Sequence, residues 1–211
     1  MKIPTLILAL FSLLLQGGGQ TVVIPIQNAS FEQLPTDFYP SGPQNCGPIG
    51  YGHVQGWSYQ WVFQPLNPNP CGIAPPPSGV TVAYTAYGGT LSQTLSVTPA
   101  GMQEYAPGYT HEGVYVLTFW VANYFPTYPG YFTAKVSFGA QELCETSGWG
   151  TQIFNQVTAI CPSPGYIIVD KSLDEDGNSG PVQGHNNFVI TFKSGGWPVL
   201  FDDVSLTFTP N

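Results

Sequence analysis

Apolar and polar residues alternate with a period of two along most of this chain. Nine segments carry the pattern: "TVVIPIQ", "GVTVAYTAY", "TLSQTLSV", "VYVLTFWVAN", "YFTAKVSFG", "TQIFNQVTAI", "GYIIVDKS", "NNFVITFKS" and "PVLFDDVSLTFT". Each is rich in β-branched and aromatic residues and is bounded by turn-forming residues, which is how strands and their connections read in sequence. Beyond the first 19 residues no window places apolar side chains at i, i+3, i+4 and i+7, so no helix is expected. Short strands repeated without helices between them predict an all-β fold, an antiparallel β-sandwich of the jelly-roll kind.

Alternation also assigns faces. In "VYVLTFWVAN", Val114, Val116, Thr118, Trp120 and Ala122 form one side, and Tyr115, Leu117, Phe119 and Val121 the other. Both sides are largely apolar, so the strand is either central and doubly covered or has a second face that lines a groove. In the last strand, strict alternation groups Leu200, Asp202, Val204, Leu206 and Phe208, and sets Asp203 on the opposite side with Phe201. Residues 35–77 differ. They are rich in proline, hold two cysteines, and contain one strand-like piece, "GWSYQWVFQ". This is expected to be a long decorated loop, the kind of segment that carries function.

Export changes how the cysteines are read. "MKIPTLILALFSLLLQGGGQ" has a lysine, a short apolar run and then small residues. This is the pattern of a secretory signal peptide over residues 1–19, too short in its apolar part to span a bilayer. Residues 20–211 then form one secreted domain. The four cysteines, Cys46, Cys71, Cys144 and Cys161, suit disulfides in an oxidising compartment. Three pairings are possible, and nearest-neighbour pairing is favoured; each bridge would stabilise the fold by about 3 kcal/mol in the chain-entropy model. No Cys/His pattern suggests zinc, and His53, His111 and His185 fall in separate glycine-containing stretches.

Charge narrows the partners. Of the 211 residues, 12 are acidic and 4 are basic, giving a net charge of −8, and none is arginine. Such a chain cannot neutralise a run of phosphates or an anionic membrane, so neither nucleic acid nor membrane is an expected partner. Nothing in the sequence sets an oligomeric state.

The scarcity of cations bears on Asp202, which alternation points toward the core. A buried carboxylate needs a partner or takes up a proton. Beyond the leader the lysines are only Lys135, Lys171 and Lys193. In an extracellular, oxygen-rich setting, calcium can take the role of the missing cation. Glu32 in "QNASFEQ" follows the first strand, and first and last strands of a jelly roll often lie together. A calcium shared by Glu32 and Asp202, with carbonyls near Asn28 and help from Asp203, is one expectation. A buried Asp held by N–H or hydroxyl donors is the other. The acidic run "DKSLDEDGNSG" offers a weaker second site at Asp174, Asp176 and Asn178. It lacks the glycine and the final acid of a calcium loop, so a solvated turn is the preferred reading. The sequon at Asn28 is more readily explained by a backbone role than by glycosylation.

Taken in order, "NASFEQ", Gly56–Trp57, "LSQTL", "VYVLTFWVAN" and "VLFDDVSLT" resemble galactose-binding-like jelly rolls. The chain is similar to carbohydrate-binding modules of families 4 and 9, with the specific resemblance confined to the two end motifs. It implies a structural calcium held by Asn28, Glu32 and Asp202, remote from the sugar. "IPIQNASFE", "LTFWVANY" and "FDDVSLT" also resemble the Stig cyclases, calcium-dependent jelly rolls that rearrange prenylated indoles using an aspartic acid as proton donor. That resemblance implies an acid where Leu200 stands here, so it implies fold and ancestry without the activity.

The family resemblance gives the aromatics a use, since sugar rings stack on exposed Trp and Tyr. Tyr124 and Tyr128 in "NYFPTYPGY" and Trp149 in "SGWGTQ" are the preferred ligand contacts. Tyr59 and Trp61 follow, with Tyr131 and Trp197 also candidates, while Trp57 is expected in the core. No motif of a catalytic triad or metalloprotease occurs, and Glu104, Glu112, Glu142, Glu145 and Asp170 form no visible acid pair, so no catalytic residue is assigned. The expected protein is a secreted, calcium-stabilised, non-catalytic carbohydrate-binding module. A Stig-type cyclase and an extracellular structural module are the alternatives.

Overall fold

The computed structural model describes residues 20–34, 39–40, 46–66, 69–95, 112–125, 127–138, 141–164 and 188–211. The expected leader at 1–19, the segment "GYIIVDKS", the acidic run with Asp174, Asp176 and Asn178, and Glu104, Asp170, His111 and His185 lie outside them.

Among the described residues, twelve strands form two antiparallel sheets. They are β1 (Val22–Ile24), β2 (Tyr39–Pro40), β3 (Ile49–His53), β4 (Tyr59–Phe63), β5 (Val82–Thr85), β6 (Thr90–Leu95), β7 (Glu112–Asn123), β8 (Tyr131–Phe138), β9 (Gln141–Trp149), β10 (Asn155–Pro164), β11 (Phe188–Ser194) and β12 (Val199–Pro210). The larger sheet runs β10-β7-β12-β5-β4-β3-β2, with β1 also paired to β12, and the smaller runs β6-β11-β8-β9. From β5 onward the chain passes repeatedly from one sheet to the other, as a jelly roll does. The described residues contain no helix.

Side-chain alternation builds the core as expected. Tyr115, Leu117, Phe119 and Val121 of β7 point between the sheets, where they meet Phe132 and Phe138 of β8, Phe188, Ile190 and Phe192 of β11, and Phe201 and Phe208 of β12. Phe119 packs edge-on against Phe192 at 4.9 Å, the kind of aromatic contact that adds to simple burial. The opposite face of the larger sheet carries a second cluster, with Phe63, Val82, Tyr84, Ala122 and Leu200, packed beside the disulfide-linked Cys46 and Cys71. Strand β7 is thus central. Its second face is covered at the Ala122 end and half-open at Val114, Val116 and Thr118.

Both disulfides join nearest neighbours, Cys46–Cys71 and Cys144–Cys161. The second ties β9, at one edge of the smaller sheet, to β10, at the edge of the larger. It fastens the two layers at a border where neither strand has a further partner among the described residues.

Three expectations are corrected. The 35–77 segment contributes β2, β3 and β4, and is therefore partly sheet, with Cys46–Cys71 bracing it against the second cluster. The stretch "QELCETSGW", absent from the expected strands, forms β9. Most important, β12 does not alternate through its length. Its pairing with β7 shifts between Asp202 and Ser205, and Asp203 takes a left-handed conformation with φ 46°. One extra residue enters β12 there, forming a bulge. Phe201 and Val204 therefore both face the main core, while Asp202 shares its face with Leu200 and not with Val204.

Candidate functional site

Two places gather chemistry, a carboxylate cluster at the β12 bulge and an aromatic surface at one end of the sandwich.

The bulge lies where β12 changes partners. Its Val199–Phe201 segment pairs with β5, and Leu206–Phe208 pairs with β1. The gap between is filled by the turn after β1, whose Ala29 carbonyl accepts a hydrogen bond from Val204 N at 3.0 Å. This turn carries Glu32. Asn28 closes it with its side chain, Oδ1 accepting from Gln33 N at 2.9 Å and Nδ2 donating to Gln33 O at 3.1 Å. Trp57, buried as expected, anchors it from beneath by donating Nε1–H to the Gln27 carbonyl at 3.0 Å. The first and last parts of the folded chain are therefore joined side by side, as the position of Glu32 and Asp202 implied.

Three carboxylates border this junction, each bonded to its own partners. Glu32 Oε1 accepts from Val80 N at 2.9 Å and Thr81 N at 2.8 Å. Asp203 Oδ1 accepts from Ser78 Oγ at 2.7 Å. Asp202 is wholly buried; its Oδ1 accepts from Asp203 N at 2.8 Å, while its Oδ2 has no hydrogen-bond partner. Burial pushes the Asp202 carboxyl up to about 8, with the charges of Asp203 and Glu32 adding to the rise and the Asp203 N–H and Ser78 main chain opposing it. The two aspartates were expected to point apart. The bulge instead turns Asp203 so that both address the 78–81 segment.

This donor set suits a hard divalent cation. Its side chains supply only oxygens, and it includes a buried carboxyl oxygen with nothing to bond. Lys135 is engaged with Glu142 at 3.3 Å and does not serve it. Among the described residues no three His, Cys, Asp or Glu side chains form a metal-holding group on their own. A cation here would therefore also draw on main-chain carbonyls or water, as calcium commonly does.

Gly79 is fitted to this cluster. Its φ is +58°, and a Cβ at this position would collide with the Glu32 carboxylate. Gly79→Ala is expected to destabilise the protein by about 2–3 kcal/mol, through left-handed strain and loss of the Glu32 bonds to Val80 and Thr81. Urea unfolding of the variant against wild type measures it, and an unchanged midpoint would show the carboxylate to be free to move aside.

The aromatic surface is assembled by four connections: β5–β6, β7–β8, β9–β10 and β11–β12. Tyr87 N donates to Gly196 O at 2.9 Å, Gly195 N to Tyr131 O at 2.8 Å, and Gly150 N to Gly130 O at 2.8 Å, which links all four. Asn123 at the end of β7 is the inner brace: Nδ2 donates to Gly150 O and Oδ1 accepts from Gly130 N, each at 2.9 Å. Gly150 must be glycine at this approach, because a Cβ would strike the Asn123 amide.

On this frame Tyr87 is 75% exposed, Trp149 63%, Tyr128 50% and Trp197 44%. Tyr128 and Trp197 stack at 4.6 Å with 25° between planes, and Tyr131 meets Trp149 edge-on at 5.2 Å. The connecting stretches "AYGG", "YFPTYPG", "GWGTQIF" and "SGGWP" contain no charged residue. This end of the sandwich therefore presents two exposed aromatic pairs on connections that are themselves free of charge.

Of the sequence candidates, Tyr128 and Trp149 are on this surface, joined by Trp197 and Tyr131. Tyr124 is not. It was expected to project with Tyr128, but it lies inward of the Asn123 brace, 7% exposed, with its ring edge-on to Phe63 and Tyr84 at 5.0 and 4.9 Å. Burial pushes the phenols of Tyr84 and Tyr124 upward, so both stay neutral there. Trp61 is half-buried against the second cluster. Tyr59 begins β4, opposite His53, and its side chain is outside the described set. Tyr87 was missed because nothing in "TAYGG" separates a loop tyrosine from a strand one. Leu200, where the cyclase resemblance implies an acid, is fully buried in the second cluster.

No family model matches the chain, and no curated protein matches it. Solved structures do show likeness, and they include carbohydrate-binding modules. The CBM22-1 xylan-binding domain from Paenibacillus barcinonensis Xyn10C has a TM-score of 0.46 at 9% identity, covering 91% of this chain and 94% of that one. The module TmCBM61, in complex with β-1,4-galactotriose, has a TM-score of 0.42 at 15% identity, covering 85% and 94%. The N-terminal cellulose-binding domain from Cellulomonas fimi β-1,4-glucanase C has a TM-score of 0.40 at 18% identity, covering 86% and 95%. These are distant likenesses. The two-sheet antiparallel sandwich itself stands on the strand pairing of this chain.

Proposed function

We propose that this protein binds carbohydrate, without catalysis, through the loop-end surface of Tyr87, Tyr128, Tyr131, Trp149 and Trp197, and that calcium at Glu32, Asp202 and Asp203 fastens the chain ends. The observation that carries the first part is the pair of exposed aromatic contacts, Tyr128–Trp197 and Tyr131–Trp149, held with Tyr87 on four connections that are tied together at one end of the sandwich. A soluble protein that holds four such side chains open to water forgoes the burial they would otherwise gain, and stacking on a sugar face restores it. Calcium is supported by the unpartnered, wholly buried oxygen of Asp202 among three carboxylates. Asn28 shapes the turn, since its amide is taken up by Gln33. The two disulfides suit an oxidising compartment, in keeping with export through the 1–19 leader. No helix among the described residues is long and apolar enough to cross a membrane.

Electrophoresis through gels containing soluble polysaccharides tests the binding. The wild-type protein is expected to be retarded by at least one of them. Trp149→Ala and Trp197→Ala are each expected to weaken that retention by about tenfold, the loss of one aromatic contact plus its buried area. Free migration of the wild type in every polysaccharide would remove the proposal.

A further inference from the structure

The aromatic pair Tyr131–Trp149 is also the first row of the outer face of the smaller sheet. Beneath it, pairing places Thr90, Lys193, Thr133 and Ser147 in one row across β6, β11, β8 and β9. The next row is Ser92, Thr191, Lys135 and Glu145. Both lysines of the described residues therefore stand on this face. They are not equivalent. Lys135 lies opposite Glu145 and is ion-paired with Glu142. Lys193 is exposed and has no acidic partner among the described residues. Its main chain lies about 8 Å from that of Tyr131, one strand across and two residues along. An ammonium on a flexible stem can reach a group carried by a sugar that rests on Trp149 and Tyr131.

Building on the glycan-binding reading, we propose that Lys193 makes this site selective for acidic saccharides, glycans bearing a carboxylate or sulfate. The sugar ring stacks on Trp149 beside Tyr131, its anionic group meets Lys193, and the hydroxyls of Thr133 and Ser147 line the row between. A protein with net charge −8 repels acidic polymers in general. An unpaired lysine beside an aromatic ledge is the local exception that admits one in a defined orientation.

Titration with polygalacturonate, a sulfated galactan and a neutral β-galactan tests this. Wild type is expected to bind one or both acidic polymers about five- to tenfold more tightly than the neutral one, as a charge-assisted hydrogen bond provides. Which acidic polymer it prefers distinguishes carboxylate from sulfate. The preference is expected to shrink as salt rises. Lys193→Gln should erase it while leaving neutral binding within about twofold, and Lys193→Arg should keep it. Equal affinity for all three polymers, unaffected by Lys193→Gln but lost in Trp149→Ala, would overturn the role of Lys193 and leave the glycan site standing. No binding to any of the three, with retention by none, would overturn both.

Discussion

Asp202→Asn is expected to abolish a calcium-dependent gain in stability that the wild-type protein shows. A ligand present at a hundredfold excess over its Kd adds about 2.7 kcal/mol to a fold that alone binds it. For a domain of this size that raises the melting temperature by about 5–10 °C. Asparagine preserves the shape and the bond from Asp203 N to Oδ1 but removes the charge that a cation needs. The variant also separates calcium from its alternative. Were Asp202 simply an unpartnered buried acid, the fold would have to hold it protonated near neutral pH, and Asp202→Asn, which needs no proton, would be the more stable protein there with or without calcium. Thermal melts of both proteins, with calcium and with chelator, decide between these. A wild-type melt unchanged by chelator would contradict the calcium clasp.

The metal-stripped protein is expected to lose stability as pH rises from about 4 to about 8. Asp202 has its carboxyl raised from 3.8 to about 8 in the fold. Between those values the native state holds a proton that the unfolded chain has released. Its contribution is fully present below the unfolded value and is lost as pH rises through the folded one. The slope is about −1.4 kcal/mol per pH unit from this group. This is opposite in sign to a salt-bridged aspartate, which protects at high pH. With calcium in excess the cation holds the carboxylate ionised, and the decline should vanish. Urea unfolding of stripped wild type at a series of pH values, with Asp202→Asn subtracted to remove the other acids, gives the slope. A flat or rising difference would show that Asp202 already has a partner.

The sandwich was legible where strands alternate cleanly. The grouping of Tyr115, Leu117, Phe119 and Val121 on one face of β7 could be read directly, because a period of two maps onto two faces, but which of its two apolar faces lies inward could not. Strand β9 escaped notice because it is an edge strand whose exposed face carries Glu142, Glu145 and Ser147 and whose inward positions include a glycine and a cysteine. Strand β3, "IGYGH", has glycine at two of its five positions and no apolar rhythm. The face of Asp202 relative to Val204 was misread for a different reason. Alternation assumes an unbroken ladder, and a left-handed Asp203 inserts a residue that no local pattern announces. The burial of Asp202 and its closeness to Glu32 were nonetheless legible, from an acid in an apolar strand of a chain that has no arginine.

The binding surface was less legible because it is tertiary. Tyr128 and Trp149 stand 21 positions apart in sequence, and Tyr87 and Trp197 lie further off still. They converge only because glycines at the strand ends let four connections run close together and Asn123 ties two of them. Proline and glycine neighbours signalled exposure correctly for Tyr128 and Trp149. They failed for Tyr124, which lies next to Asn123 and shares the inward direction that the brace imposes.

The most direct test of the glycan-binding account is calorimetric titration of one retained polysaccharide, or an oligosaccharide of it, into wild type and a Trp149→Ala/Trp197→Ala double variant with the same melting temperature. Saturable binding by wild type, weakened by about a hundredfold in the double variant, is the predicted result. Equal binding by the two proteins would place the ligand elsewhere and contradict the account.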